Sequence, residues 1–123
     1  MDKLERIFAL QKRFQDQLKR ERGLGHITSD EWLQKQALAM ISELAELLEE
    51  VNFKWWKNPH ERNRSAIWEE LTDMLHFFIS MCIEAGMGAE DLYEVYLRKN
   101  HENVLRQEGK SAKRGYSTVE AGE

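Results

Sequence analysis

Apolar side chains recur along the chain with helical spacing, and no segment shows the alternating Val, Ile and Thr pattern of a strand. The apolar positions of the first segment are Leu4, Ile7, Phe8, Phe14 and Leu18. Intervals of three and four residues predict a helix over about residues 4–22 with one apolar stripe. The glycines of Gly23-Leu24-Gly25 are expected to end it.

Two further helices are predicted from capping residues and apolar spacing. Thr28, followed by Glu31 three residues later, forms a capping-box pattern at the start of the second helix. Its end is expected near residues 53–57. The third helix is expected after Asn58-Pro59, with Asn58 as a cap and the regular part beginning near Arg64. Its apolar positions continue to the glycines at 86 and 88.

The last strongly patterned segment, residues 89–107, predicts a fourth helix. Glu90 and Asp91 stand in its first turn and basic residues near its end, which complements the helix dipole. Residues after 108 carry little apolar content, which is typical of a mobile tail. The sequence therefore predicts an all-α bundle of four to five helices over residues 1–107, followed by a basic tail over 108–123.

Composition and charge exclude several classes of protein. The chain has 123 residues, and 18 basic against 22 acidic side chains give a net charge of −4, which argues against nucleic-acid binding. A single cysteine, Cys82, excludes an internal disulfide and any CxxC site. No apolar run approaches the ~18 residues of a membrane span. The first residues carry no signal-peptide pattern, so a cytoplasmic protein is expected.

Carboxylates beside the apolar seams are the first candidate chemistry. Glu43 and Glu46 are three residues apart on the second predicted helix, and Glu70 and Asp73 repeat this spacing on the third. Residues i and i+3 share a helix face, so each pair can converge on one ion. Four carboxylates in one place repel strongly unless a cation neutralises them, and Mg²⁺ suits an oxygen-only ligand set. The alternative interpretation is a solvated acidic face on each helix.

Aromatic and basic residues add a second candidate constellation. Trp55-Trp56 stands between two lysines, and two neighbouring tryptophans cannot easily face the same core, so one is available to stack on a nucleobase. His76 and Phe77 follow Asp73 closely and are similar candidates, with ordinary packing as the alternative. Residues 98–114 carry six basic and two acidic side chains, which suits phosphate binding or a dipole-complementing helix end.

Taken in order, these motifs resemble the dimeric all-alpha dUTPases within the MazG-like nucleotide pyrophosphohydrolases. The motifs that carry the resemblance are Leu10-Gln11, Glu43-x-x-Glu46-Leu47, Lys54-Trp55-Trp56-Lys57, Glu70-Leu-Thr-Asp73-Met-Leu-His76-Phe77, Tyr96-x-x-Lys99-Asn100-x-x-Asn103-x-x-Arg106-Gln107 and Gly115-Tyr116. The resemblance implies a MazG-like bundle completed by dimerisation. It also implies cleavage of dUTP between the α and β phosphates, giving dUMP and pyrophosphate.

The resemblance assigns roles residue by residue. It implies that Glu43, Glu46, Glu70 and Asp73 hold Mg²⁺, with Mn²⁺ as a substitute, and that Glu46 orients or deprotonates the attacking water. The substrate-binding residues that it implies are Gln11, Trp55, His76 and Phe77 around the base, and Lys99, Asn103 and Arg106 on the phosphates, with Lys54 and Tyr116 as further candidates. The expected partners are a deoxynucleoside triphosphate and a second copy of the chain, in a homodimer or higher homo-oligomer.

The sequence departs from the family pattern next to Gln11. An asparagine that helps to read the base is expected shortly after this residue, but Lys12-Arg13-Phe14 follow. A pyrophosphatase acting on dCTP or on a broader range of nucleotides is therefore the nearest alternative. A non-enzymatic helical adaptor or metal-binding bundle is the third hypothesis, although it gives no role to Lys99, Asn103 and Arg106.

Overall fold

The structure is a computed structural model, and it describes residues 1–112. Four helices and no strand occur in this part of the chain, which confirms the predicted all-α fold. The helices are α1 (Lys3–Glu21), α2 (Ser29–Glu50), α3 (Arg64–Glu84) and α4 (Ala89–Gln107). Within the same residues no helix is both long and apolar enough to cross a membrane.

Side-chain caps begin three of the helices. The Thr28 hydroxyl accepts the backbone N–H of Glu31 at 3.1 Å, as the sequence pattern predicts. Asn63, not Asn58, caps α3, because its side-chain oxygen accepts the N–H of Ala66 at 3.1 Å. Residues 58–63 consequently stay outside the helix, and the regular part begins at Arg64 as expected.

The prediction that α2 continues to residues 53–57 is wrong, because α2 ends at Glu50. Asn52 adopts the left-handed conformation with φ of 58°. The N–H of Phe53 then turns back to the carbonyl of Leu48 at 3.3 Å, and the N–H of Asn52 to that of Glu49 at 3.4 Å. This is the Schellman ending, which Gly23 provides for α1 at φ of 62° as predicted.

The loop after α2 is closed by a clip between Asn52 and His60. The Asn52 side chain donates to the His60 carbonyl and accepts the His60 N–H, both at 2.9 Å. The imidazole of His60 lies 2.9 Å from the carbonyl of Glu49 through Nε2 and 2.8 Å from that of Glu61 through Nδ1. These contacts, with the charges of Glu49 and Glu50, raise the pKa of His60.

Residues 1–87 form one compact unit, and a second begins at Gly88. In the first, α3 packs against both α2 and α1. Three polar pairs join α1 to α3 at four-residue intervals, and we call them the polar ladder: Gln11–His76, Gln15–Ser80 and Lys19–Glu84. From one pair to the next the residue number increases by four on both helices, so α1 and α3 run parallel.

The core of this unit is small and partly polar. Its buried apolar side chains are Phe8, Trp32, Ile67, Ile79 and Cys82. The stripe predicted for α1 is displaced, because α1 buries Phe8 together with two glutamines while Ile7 and Phe14 are exposed. Spacing alone cannot show that amide side chains occupy the inner face of a helix.

Large apolar residues remain on the outside of all three helices of this unit. On α2, Leu38 is 67% exposed and Ile41 is 61% exposed. On α3, Trp68 and Leu71 are exposed, as is Leu10 on α1. Apolar surface of this extent on adjacent helices is typical of an interaction face.

The second unit contains α4. Gly88 precedes this helix, and the Asp91 carboxylate accepts the Gly88 N–H at 2.8 Å. At the other end, Ser111 is buried and its hydroxyl donates to the carboxylate of Glu102. The predicted domain boundary after residue 107 stays a prediction.

Candidate metal centre and the adjoining cleft

Three of the four predicted metal ligands meet between α2 and α3. Glu43 and Glu46 stand one turn apart on α2, and Glu70 faces them from α3. One carboxylate oxygen from each lies within 4.8 Å of the other two. Glu46 is exposed, whereas Glu43 and Glu70 are half-buried, so the cluster is open on one side.

The protein leaves this cluster short of hydrogen bonds. Oε2 of Glu43 and Oε2 of Glu70 are buried without a partner, and they are the only side-chain atoms of this kind in residues 1–112. An unpaired buried carboxylate oxygen is costly, so a ligand that satisfies both atoms would stabilise the fold.

The electrostatics of the cluster point to a cation. Glu43 lies close enough to share a hydrogen bond with Glu70 when one of them is protonated, and this contact, burial and the nearby Glu46 raise the pKa of Glu70 to about 7. A divalent ion would remove the repulsion and satisfy the orphaned oxygens together. The donor set, three carboxylates and no nitrogen or sulfur, fits a hard ion such as Mg²⁺.

Asp73, the fourth predicted ligand, is not one of the three converging groups. It is exposed on α3, one turn beyond Glu70. It lines a cleft of about 300 Å³ that also receives Gln11, His76 and Phe77. The structure thus brings these four predicted residues to one cavity.

The same cleft contains residues that the sequence interpretation missed: Phe14, Gln15, Leu18, Trp32, Gln36 and Ser80. The indole N–H of Trp32 donates to Ser80 Oγ at 3.2 Å, and the Ser80 hydroxyl donates to Gln15 Oε1 at 2.7 Å. Beside them, His76 Nδ1 lies 2.9 Å from Gln11 Oε1. The spacing of Phe8, Gln11 and Gln15 places both amides on one face of α1, but it does not show that this face is the buried one.

The structure does not bring Lys54 and Trp55 into this cleft. Lys54 Nζ lies 2.5 Å from Glu49 Oε1, at the end of α2. Trp55 is 86% exposed and packs edge-to-face against Trp56, with ring centroids 5.6 Å apart. Their predicted roles in substrate binding stay predictions.

The predicted phosphate ligands belong to the second unit. Lys99, Asn103 and Arg106 follow one another at intervals of four and three residues, so they share one face of α4. Lys99 and Asn103 are exposed, and Arg106 is half-buried. Tyr116, the last predicted substrate ligand, lies outside the described residues.

Two phage pyrophosphatases are similar to the chain. The chain is 32% identical to a dCTP pyrophosphatase of Enterobacteria phage LZ5 over 83 residues, which are 68% of the chain and 45% of the phage protein. It is 41% identical to the dCTP pyrophosphatase of Enterobacteria phage T4 over 39 residues, which are 32% of the chain and 23% of that protein. The chain thus spans less than half the length of both relatives.

No solved structure is significantly similar to the chain. A family model described as dUTPase, however, matches residues 3–89, which include the three converging glutamates and the cleft. By this match over most of its length, the chain belongs to the all-alpha dUTPase family.

Proposed function

We propose that the protein is a Mg²⁺-dependent pyrophosphohydrolase of pyrimidine deoxynucleoside triphosphates, yielding the monophosphate and pyrophosphate. The observation that carries this proposal is the convergence of Glu43, Glu46 and Glu70 beside a cleft that holds aromatic and amide side chains. Family membership and the phage relatives support a nucleotide pyrophosphatase. A helical adaptor would explain neither the orphaned carboxylate oxygens nor these similarities, and a non-enzymatic metal-binding bundle would explain only the oxygens.

The three glutamates would hold the ion, with Asp73 as the further predicted ligand. Bound Mg²⁺ would neutralise phosphate charge and lower the pKa of water in the site. Glu46 is the most accessible of the three and is our candidate for the group that takes a proton from the attacking water. A bond between the water oxygen and phosphorus forms, the bond between the α and β phosphates breaks, and pyrophosphate departs.

Lys99, Asn103 and Arg106 are proposed to bind the phosphates. A lysine acts on phosphate as a point charge and an arginine as a two-pronged donor, and both stabilise charge that develops on a leaving pyrophosphate. Their shared face on α4 allows one chain of phosphates to meet all three.

Two base specificities are supported by different observations. The family match favours dUTP, and the two phage relatives favour dCTP. Ring size does not distinguish the two bases, because uracil and cytosine are both six-membered rings that carry the O2 carbonyl. Gln11, His76 and Phe77 are the residues proposed to surround it.

A homodimer or higher homo-oligomer is also part of the proposal. The exposed leucine, isoleucine and tryptophan side chains of α2 and α3 support it, because burying them against a second copy would remove a large apolar surface from water. The cytoplasmic location stays a prediction.

Product analysis tests the proposed function directly. The protein is incubated with dUTP, dCTP, dTTP or UTP, with Mg²⁺ or with EDTA, and the products are separated by chromatography. We expect Mg²⁺-dependent formation of pyrophosphate and a monophosphate, mainly from dUTP or dCTP. Glu46→Gln should abolish turnover with unchanged helicity by circular dichroism, while Glu49→Gln, on the same helix outside the cluster, should not. Full activity of Glu46→Gln would overturn the assignment.

A further inference from the structure

We propose that Gln15 reads the base, donating from its side-chain amide to a pyrimidine carbonyl oxygen, and that Trp32 and Ser80 are positioning residues that hold this amide. The inference rests on the proposed function, because it takes the cleft as the base site. Gln15 lies one turn after Gln11 on α1, and it would take the role of the asparagine that the family pattern places shortly after Gln11.

The orientation of the Gln15 amide follows from the Trp32 indole, because an indole nitrogen donates a hydrogen bond and cannot accept one. An indole N–H only donates, so Ser80 Oγ must accept from Trp32, and its own proton is then directed to Gln15 Oε1. With the amide turned over, Nε2 would donate to the second lone pair of Ser80 Oγ, and the Ser80 proton would lose Gln15 Oε1 as its acceptor. The three residues are between 1% and 4% exposed, so water does not replace the missing bond cheaply.

This orientation leaves the nitrogen of Gln15 for a ligand. The hydrogen bonds within residues 1–112 give Gln15 Nε2 no acceptor, and this nitrogen is not fully enclosed, because Gln15 lines the cleft. The nitrogen carries two N–H donors, and the planar ligand that the aromatic cleft suits must offer an acceptor to it.

Gln11 presents the same chemistry one turn away. Its Oε1 faces His76 Nδ1 at 2.9 Å, and in the tautomer that protonates Nδ1 the Gln11 nitrogen is also left to donate. Two amide donors on one face of α1 suit a base with carbonyl oxygens. O2 is common to uracil and cytosine, whereas O4 is present only in uracil and thymine, so the nucleotide arms of the experiment identify which oxygen Gln15 binds.

The test measures base binding without catalysis. Binding of dUMP and of dCMP in EDTA is followed by calorimetry for the unchanged protein, Gln15→Leu and Ser80→Ala. Binding of pyrophosphate with Mg²⁺ is measured beside it as the phosphate arm. Gln17→Leu is the matched control, since Gln17 lies on α1 and is exposed.

We expect Gln15→Leu to weaken monophosphate binding about tenfold or more, equivalent to about 1.4 kcal/mol, and to leave pyrophosphate binding unchanged. Equal losses for dUMP and dCMP identify O2, and a loss confined to dUMP identifies O4. Ser80→Ala should lower monophosphate affinity severalfold with Gln15 still present. This variant tests the role of the Gln15 amide even if Gln15→Leu does not fold. In turnover, both variants should raise KM more than they lower kcat.

Three results would overturn the inference: unchanged monophosphate affinity in both variants, parallel loss of monophosphate and pyrophosphate binding, or no binding of either monophosphate to the unchanged protein. Failure of the proposed function is distinguishable. A protein that binds the monophosphates through Gln15 but cleaves no triphosphate would refute the hydrolase and retain the base site.

Discussion

Metal affinity should depend steeply on pH because Glu70 holds its proton near neutrality. Its pKa is raised to about 7 by Glu43, burial and Glu46. A cation binds the ionised carboxylate, so protons and metal compete for Glu70. At pH 6 about one molecule in eleven has Glu70 ionised, and at pH 8 about ten in eleven, so the apparent affinity should rise about tenfold.

The assay is a titration with Mn²⁺, whose free concentration is read by electron paramagnetic resonance, followed by competition with Mg²⁺. It is repeated at half-unit steps from pH 6 to pH 8 at constant ionic strength. Glu70→Gln removes the titrating group, so we expect weaker binding and a nearly flat pH profile. Glu69→Gln changes the adjacent residue outside the cluster and should keep the original slope.

The variants separate Glu70 from other groups that titrate in this range. If affinity changes less than about twofold between pH 6 and pH 8, the proton on Glu70 does not compete with the ion. If Glu70→Gln keeps the tenfold slope, another group is responsible. Either result would refute the reasoning that connects the crowding of carboxylates to metal binding.

Five further outcomes are expected. In EDTA, thermal stability should fall as the pH rises from about 4.5 to about 7, since the folded state favours protonated Glu70, and Mg²⁺ should restore it above pH 7 in the same melting scans. Asn52→Ala should cost about 1–2 kcal/mol in urea unfolding, because it strains the left-handed turn and removes two hydrogen bonds, whereas Asn52→Gly should lose less. The clip of His60 should loosen as the pH rises through its raised pKa, visible as an upward-shifted histidine titration by NMR that Asn52→Ala lowers. Ile41→Glu should convert the oligomer to monomers in sedimentation, and a parent protein that is already monomeric would contradict this. Lys99→Ala should raise KM about tenfold in steady-state kinetics, and an unchanged KM would contradict its role in phosphate binding.

Helix boundaries were largely predictable because the signals are local. The Thr28 cap and the Gly23 ending depend on residues within one turn, and the structure reproduces both. The end of α2 was missed because Asn52 occupies a position where glycine is the usual signal. An asparagine in the left-handed conformation looks like any polar surface residue until its partner, His60, is in place.

The candidate site was predictable as far as chemistry follows from spacing on one helix. Glu43, Glu46 and Glu70 converge because two seams of known period face each other. The role of Gln15 was not predictable in the same way, because its burial depends on Ser80, 65 residues away. Hydrogen bonds between residues far apart in the chain are decided by tertiary packing, and the spacing of apolar residues does not reveal them.

The polar ladder between α1 and α3 has a consequence for the alignment of the two helices. A purely apolar seam can slide by one helical turn, about 5.4 Å, and still bury comparable surface. In the ladder, a slide in one direction places Lys19 opposite the buried Ser80 and away from Glu84, and a slide in the other places the apolar Ile7 opposite His76. The first slide takes the Gln15 acceptor from the buried Ser80 hydroxyl, at about 1–3 kcal/mol, and the second leaves the His76 imidazole without its amide partner. Gln11, Gln15 and Lys19 therefore define a single register for α1 against α3. The free-energy cost of the shifted registers contributes more to this alignment than the strength of the native contacts.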